Sequence, residues 1–99
     1  MSEMIWKFPL ALSLHSRRQH IEDVPQFARP LSAQWQEMNG QEGIVLWCLV
    51  DDWRPKVGMD VRIAHTGKPF DSVGFRFLST VQAPSGLVYH VFVPVEPPQ

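Results

Sequence analysis

Apolar residues are concentrated in two short runs along this chain. The first run, residues 44–50, holds seven consecutive apolar residues between Gly43 and the pair Asp51-Asp52. It is shorter than the roughly 20 residues of a membrane helix and shows no helical periodicity, so it predicts a β-strand covered on both faces. Residues 87–93 form a second, nearly continuous run. Both strands are expected at the centre of the fold, where they can be neighbours.

An alternation of apolar and polar residues precedes the first run. Residues 31–38 alternate in this way, which predicts a half-buried strand. Asn39-Gly40 follows, and this dipeptide is the strongest short hairpin signal known in sequences. Residues 41–43 suggest a slightly longer loop or a bulge after it. The strand 31–38 is therefore expected to pair antiparallel with 44–50.

Alternation also marks the remaining strands. They are expected at residues 4–8, 60–66 and 75–82. The last of these is expected to pair antiparallel with 87–93 across a tight turn. Within it, Phe75, Phe77 and Val81 are expected on one side of the sheet.

The whole pattern predicts a mostly-β fold. We expect a single small antiparallel β-sheet or a barrel-like domain of six to seven strands, with at most one short helical turn from Asp71. Residues 13–20 are expected to form a loop or a short strand. The domain is expected to span residues 1–93, followed by a flexible C-terminal tail over residues 94–99.

The charge balance narrows the class of partner. Nine Lys and Arg against ten Asp and Glu leave a formal net charge of −1. A protein that binds nucleic acid through many phosphates usually has a basic excess, so we expect no large nucleic-acid surface. A mimic of DNA would need a strongly acidic surface, which this composition also lacks. A small anionic ligand remains compatible with the balance.

Cysteine content and the chain start suggest a compartment. Cys48 is the single cysteine, so an intramolecular disulfide is excluded, and its place in the apolar run predicts a buried, inert thiol. The first residues show no basic segment followed by an apolar one, and no run is long enough to cross a membrane. A cytoplasmic protein with no membrane partner is expected.

The turn over residues 65–69 is the most ligand-like stretch. Thr66, Gly67 and Lys68 follow a strand that carries Arg62, and backbone N–H groups around such a glycine can form an anion nest for a phosphate. The spacing of a P-loop is absent. The alternative is a purely structural turn in which Gly67 adopts a positive φ.

Two other clusters are candidates for binding. Arg17 and Arg18, beside two histidines, form a basic patch that can receive a phosphate or an acidic partner; a solvated loop is the alternative. Trp53 and Arg54 follow in a polar loop. An exposed Trp-Arg pair is a typical interface anchor, and the Trp ring can also stack on a base. Alternatively, Trp53 folds back over the sheet edge.

No catalytic or metal-binding motif stands out. The four histidines and the single cysteine show no ligand spacing, so we expect no metal site and no cofactor. The adjacent Asp51 and Asp52 lie at a strand end, where turn capping is their expected role. No nucleophile-elbow pattern is present. We therefore expect no catalytic residue and no enzymatic activity.

Several blocks of the chain together resemble a family of short phage and prophage proteins without an assigned activity. The blocks, in this order, are Ile5-Trp-Lys-Phe-Pro-Leu10, Leu46-Trp-Cys-Leu-Val-Asp51, Arg62-Ile-Ala-His-Thr-Gly-Lys-Pro69, Ser79-Thr-Val-Gln82 and Gly86-Leu-Val-Tyr-His-Val-Phe92. They extend over nearly the whole chain. The resemblance implies an accessory gene of a mobile element, acting in the cytoplasm of an infected or lysogenic bacterial host.

These observations lead to one functional expectation and two alternatives. The chain is expected to be a non-enzymatic binding protein that counters host defence by sequestering a nucleotide immune signal. Backbone amides and Lys68, Arg62 or an arginine of the 17–18 pair are expected on phosphate, and Trp53 or another aromatic residue on a base. One alternative is a direct inhibitor of a host defence complex, similar in role to anti-CRISPR proteins. The other is a structural or morphogenetic phage component. A homo-oligomer is expected because small sheet proteins often cover their edge strands by self-association.

Overall fold

The computed structural model describes residues 2–10 and 18–99, and the regular structure in these ranges consists of seven β-strands without a helix. The strands are β1 Glu3–Pro9, β2 Arg18–Pro25, β3 Arg29–Met38, β4 Gln41–Asp51, β5 Lys56–His65, β6 Phe75–Gln82 and β7 Val88–Pro94. All of the strand pairs are antiparallel. The mostly-β prediction is confirmed.

The strands divide into two sheets. Sheet A has the order β1-β4-β3, and sheet B has the order β2-β5-β7-β6. The two apolar runs therefore lie in central strands, β4 and β7, as expected. Their suggested adjacency is wrong, because each is flanked on both sides by other strands of its own sheet. The sheets approach each other along β3 and β6, where the Ala33 N–H donates to Ser79 Oγ at 3.1 Å.

The β3–β4 hairpin closes on two residues. Met38 pairs with Gln41, while Asn39 and Gly40 have φ angles of 52° and 79°. Two successive left-handed residues match the twist of an antiparallel hairpin, which is why an Asn-Gly pair is favoured there. The expected pairing is confirmed. The longer loop over residues 41–43 is wrong, because these residues already belong to β4.

Strand β2 is longer than its sequence suggests. Arg18–Pro25 pairs with β5, with an irregular register between Ile21 and Val24, where Asp23 has a φ of 59°. One face of β2 carries polar residues only, and Gln19 is buried on the other face, 7% exposed. A polar residue at a core position hides the alternation, so the sequence favoured a loop or a short strand here.

The core lies between the two sheets. Its fully buried side chains come mainly from β4, β5 and β7: Ile44, Leu46, Cys48, Val50, Met59, Val61, Ile63, Val91 and Val93. On β4 the even-numbered residues face this core. On the opposite face Val45 is buried, but Trp47 and Leu49 are only half-buried. Strand β4 is therefore covered fully on one face and partly on the other.

Cys48 is expected to be unreactive in the native protein. Burial raises the pKa of its thiol to about 12, so almost no thiolate exists near neutral pH, and the thiolate is the nucleophile. A colorimetric disulfide reagent at pH 8 should leave the native thiol unmodified and label it fully in denaturant. Rapid stoichiometric labelling of the native protein would contradict the buried position.

The C-terminal segment is hydrogen-bonded to the body of the domain at two points. Strand β7 ends at Pro94, after which the Val95 N–H donates to the Gly74 carbonyl at 2.9 Å. The Phe27 N–H donates to the carbonyl of Pro98 at 2.7 Å, and Pro98 is buried. The flexibility that the sequence suggests for residues 94–99 stays a prediction. Within the described ranges, no helix is long and apolar enough to cross a membrane.

Candidate functional site

One straight row of side chains crosses the outer face of sheet B, the face turned away from the core. Arg18 on β2 is opposite Arg62 on β5, Arg62 is opposite Phe92 on β7, and Phe92 is opposite Phe77 on β6. Neighbouring strands are about 4.8 Å apart, so these four residues extend over about 14 Å. We call them the Arg–Phe row. One half of it is cationic and the other half is aromatic.

The cationic half places like charges directly opposite each other, an arrangement that destabilises an antiparallel pair. The Arg62 guanidinium lies over the ring of Phe75, with Cζ 4.5 Å from the ring centroid. Both arginines line a shallow cleft of about 180 Å³ together with Pro69, Phe70 and Asp71. Asp71 is the one acidic residue of this lining, and its Oδ1 accepts a hydrogen bond from the Val73 N–H. The lining therefore has a positive excess.

The aromatic half forms a contiguous surface. Phe70, from the loop after β5, packs on Phe92 with 4.7 Å between ring centroids. Phe77 meets Phe92 edge-on at 5.8 Å, and 53% of Phe77 is exposed. An exposed aromatic ring beside arginines is suited to stacking on a planar heterocycle.

A histidine fixes the neighbouring turn to this face. His90 on β7 lies between two threonine hydroxyls: Thr66 Oγ1 is 2.8 Å from Nε2, and Thr80 Oγ1 is 3.0 Å from Nδ1. Both ring nitrogens therefore have a partner. The hydroxyl of Thr66, expected at a phosphate, here connects the 65–69 turn to the sheet.

The 65–69 turn uses one of its amides internally. Gly67 has a φ of 78°, the left-handed conformation expected of it, and the Lys68 N–H donates to the His65 carbonyl at 3.1 Å. That amide is thus occupied by the turn rather than directed at an anion. The Lys68 residue is exposed, but it does not line the cleft.

The candidate residues chosen from the sequence fall into separate places. Arg18 and Arg62 come together at the cleft, whereas Arg17 lies outside the described residues. Trp53 and Arg54 are in the β4–β5 loop, before Lys56. Arg62 lies about 20 Å further along β5 at 3.3 Å per residue. The grouping of Trp53 with Arg62 around one ligand is therefore not seen within this chain.

Sequence reasoning missed the aromatic half of the row. Phe77 was placed on the same side as Val81, but the register shifts between Phe77 and Ser79. This bulge leaves Phe77 opposite Phe92 on the outer face, while Val81 is 3% exposed in the core. A bulge adds one residue and so reverses the expected side of everything before it. The signal in the sequence was the segment Phe75-Arg76-Phe77, in which two aromatic residues flank an arginine.

A histidine–carboxylate pair lies beside the row. His20 on β2 is opposite Asp60 on β5, with 2.8 Å between Nδ1 and Oδ1, and Glu22 Oε1 is 3.8 Å from Nε2. The hydrogen bond to Asp60 raises the pKa of His20 above 6.5, with smaller contributions from the charges of both carboxylates. The imidazole rests on Gly58, where an added Cβ would be 2.6 Å from Cε1. Glycine is thus needed for this ring position.

The pair predicts a pH dependence of stability. Because the folded pKa of His20 is raised, its stabilising contribution is complete below pH 6.5 and is lost as the pH rises through the folded value. As the pH is raised through this range, the difference in melting temperature between wild type and His20→Gln should become smaller. Gly58→Ala should bring the pKa of His20, followed by NMR, back toward 6.5, because the methyl group displaces the ring. An unchanged pKa in Gly58→Ala would contradict the packing.

Comparison with known proteins yields one match. A family model described as "Domain of unknown function (DUF7352)" matches residues 1–99. No curated protein and no solved structure matches the chain. In the described residues, no group of three or more His, Cys, Asp or Glu side chains is placed to hold a metal ion.

Proposed function

Because the chain belongs to the DUF7352 family, whose description names no activity, we propose its function from the outer face of sheet B: it is a binding protein for a nucleotide. The observation that carries the proposal is the Arg–Phe row, in which Arg18 and Arg62 stand beside Phe92 and Phe77 across four adjacent strands. A nucleotide has the same division into an anionic and an aromatic part.

The arginines are suited to the phosphate. The two guanidinium groups come from opposed positions on adjacent strands, so one anion can accept charge-assisted hydrogen bonds from both. The packing of Arg62 over Phe75 restricts its side chain before any ligand arrives. Less conformational entropy is then lost on binding, which favours affinity.

The phenylalanines are suited to the base. Stacking of a base on an aromatic side chain contributes about 1–3 kcal/mol and accepts any base. Phe77 is the exposed ring of the row, and the edge of Phe70 adjoins the arginine cleft. That cleft, at about 180 Å³, is smaller than the roughly 300–1,000 Å³ of typical ligand pockets. One chain would therefore cover part of the ligand, and the proposed homo-oligomer would cover more.

The biological role we propose is counter-defence. The support is the resemblance of the sequence blocks to short phage and prophage proteins, together with a binding face suited to nucleotides. A phage or prophage accessory protein of this kind would act in the cytoplasm of the infected or lysogenic bacterial host, where it would sequester a nucleotide immune signal. Sequestration requires affinity and stoichiometry but no catalytic group, so the ligand should be released unchanged.

Isothermal titration calorimetry tests the proposal. The panel should contain nucleoside monophosphates, cyclic dinucleotides, cyclic trinucleotides and cyclic ADP-ribose, with inorganic phosphate and adenosine as the two half-ligand controls. We expect at least one nucleotide to bind far more tightly than either control and to be recovered intact by chromatography. A folded protein that binds none of them would overturn the proposal, and a consumed ligand would show an enzyme instead.

A further inference from the structure

A second surface lies where the β2–β3 turn, the β4–β5 loop and the C-terminal segment meet. The Gln26 N–H donates to the Pro55 carbonyl at 2.8 Å, and the Phe27 N–H donates to the Pro98 carbonyl at 2.7 Å. Lys56 Nζ is within hydrogen-bond distance of the carbonyl oxygens of Asp52 and Arg54, at 3.2 and 3.3 Å. Three distant parts of the chain are thus held together by backbone groups.

Arg54 lies close to two exposed aromatic rings at this junction, and we call these three residues the stack. Its Cζ lies 4.8 Å from the ring centroid of Phe27 and 4.6 Å from that of Trp53. The Nε atom is buried without a hydrogen-bond partner. Phe27 is 42% exposed and Trp53 is 52% exposed, so both rings contact the guanidinium while remaining accessible themselves.

The backbone at Phe27 is strained. Its φ is 65°, in the left-handed region that bulky side chains rarely adopt. The hydrogen bond to Pro98 holds the residue there. Strained residues of this kind concentrate at binding sites, where the surrounding structure keeps a side chain in a position it would not choose alone.

A cleft of about 320 Å³ adjoins the stack. Its lining consists of Ala28, Arg29, Pro30, Arg76, Pro94, Val95 and Pro97, and it contains no carboxylate. The cleft and the stack share two segments of the chain: Ala28 follows Phe27, and Pro97 precedes Pro98, whose carbonyl accepts the hydrogen bond from Phe27. Val95 is 57% exposed. The lining thus combines two arginines with five apolar residues.

The three arginines have no acidic partner within the chain as described. Asp51, Asp52 and Glu96 belong to the same segments, but among residues 2–10 and 18–99 no carboxylate forms an ion pair with Arg29, Arg54 or Arg76. Their positive charge is therefore available to an external group.

We propose that this arginine–proline surface, formed by Phe27, Trp53, Arg54, Arg29 and Arg76 with the apolar residues between them, binds an acidic segment of another protein. The carboxylates of that segment meet the arginines, and its apolar side chains contact the two rings and the proline-lined cleft. Trp, Phe and Arg are the residues enriched in the energetic centres of protein interfaces. This site is independent of the nucleotide proposal.

A protein segment fits this surface better than a nucleic acid does. Prolines and Val95 share this lining with the two arginines Arg29 and Arg76, so the partner must present apolar groups beside its anions. A phosphodiester backbone does not do so, whereas a peptide with acidic and apolar side chains does. The Nε of Arg54 is buried, so its terminal N–H groups are the donors left for a carboxylate.

Short random peptides displayed on phage are the probe for this proposal. The wild-type protein is panned, with counter-selection on the double variant Arg29→Gln/Arg76→Gln, and enriched peptides are synthesised with and without Asn and Gln in place of Asp and Glu. We expect enriched peptides that combine carboxylates with apolar residues and that lose about tenfold or more in affinity when amidated. No enrichment, or enrichment without acidic residues, would overturn the proposal.

Variants of the protein assign the binding to this surface. Arg54→Gln and the double variant should each lower the affinity for the acidic peptide by about tenfold or more. Lys7→Gln, which removes a charge on sheet A, should leave that affinity unchanged. Thermal melts verify that the variants are folded. If Arg54→Gln disturbs the stack, the double variant still tests the surface, because it leaves Arg54 and both rings in place. An equal loss with Lys7→Gln, or tighter binding of single-stranded oligothymidine than of the peptide, would refute it.

Discussion

Arg62→Gln is expected to weaken nucleotide binding by about tenfold or more while leaving the thermal stability of the domain unchanged or higher. Arg62 offers charge-assisted hydrogen bonds to a phosphate, and a neutral amide cannot replace them. At the same time, the substitution removes one of two like charges at opposed positions of an antiparallel pair, an arrangement that does not favour folding. A residue retained for folding alone would show the opposite pattern, with stability lost and affinity preserved.

The measurement is calorimetric titration of the tightest nucleotide, paired with a thermal melt. Arg18→Gln should behave in the same way, because the two arginines share the cleft. Phe77→Ala should lower the affinity for the nucleotide without lowering the affinity for inorganic phosphate, since it removes only the stacking surface. Lys7→Gln is the control, because Lys7 lies on sheet A. Full affinity in both arginine variants would place the ligand elsewhere.

Leu46→Ala is expected to give the largest loss of stability, about 2–5 kcal/mol of unfolding free energy. Leu46 is 0% exposed and lies in the middle of β4 on the core face. Its removal leaves a cavity between two sheets, each tied to other strands, so the surroundings can close only partly. Urea denaturation followed by tryptophan fluorescence measures the change.

Leu49→Ala is the matched control on the same strand. Leu49 is half-buried on the opposite face of sheet A, so its loss removes less contact area and opens no cavity between the sheets. We expect a distinctly smaller loss of stability than for Leu46→Ala. Equal losses would mean that both faces of β4 are core, as its uninterrupted apolar sequence predicted.

The two proposed binding sites can be tested independently of each other. Nucleotide binding depends on Arg18 and Arg62 from β2 and β5, whereas peptide binding depends on Arg29, Arg54 and Arg76. Loss of one activity with retention of the other is the expected result for each set of variants. A set that abolished both would indicate a single ligand or a folding defect, and the thermal melt separates these two cases.

Local patterns determined much of the fold. The apolar run at 44–50 identified a central strand, and Asn39-Gly40 identified its hairpin because only a few residue types adopt two successive left-handed conformations easily. The prediction of Cys48 as buried followed from the same run. These features depend on neighbours in the chain, so a sequence pattern is sufficient to find them.

The candidate sites depended on tertiary structure. Arg18 and Arg62 become neighbours only because β2 pairs with β5, and a polar β2 carries little periodic signal of its own. The exposure of Phe77 results from one bulge in β6, and no local rule places that bulge.

By itself, then, the sequence determined most of the strands, the two hairpins and the two apolar strands at the centre of the fold, because burial and turn conformation act over a few residues. The tertiary structure alone decided which sheet each strand joins and which side chains share a surface. The Arg–Phe row and the stack of Phe27, Arg54 and Trp53 each combine residues from separate elements. Such contacts are set by strand register and loop closure, which no short stretch of sequence encodes.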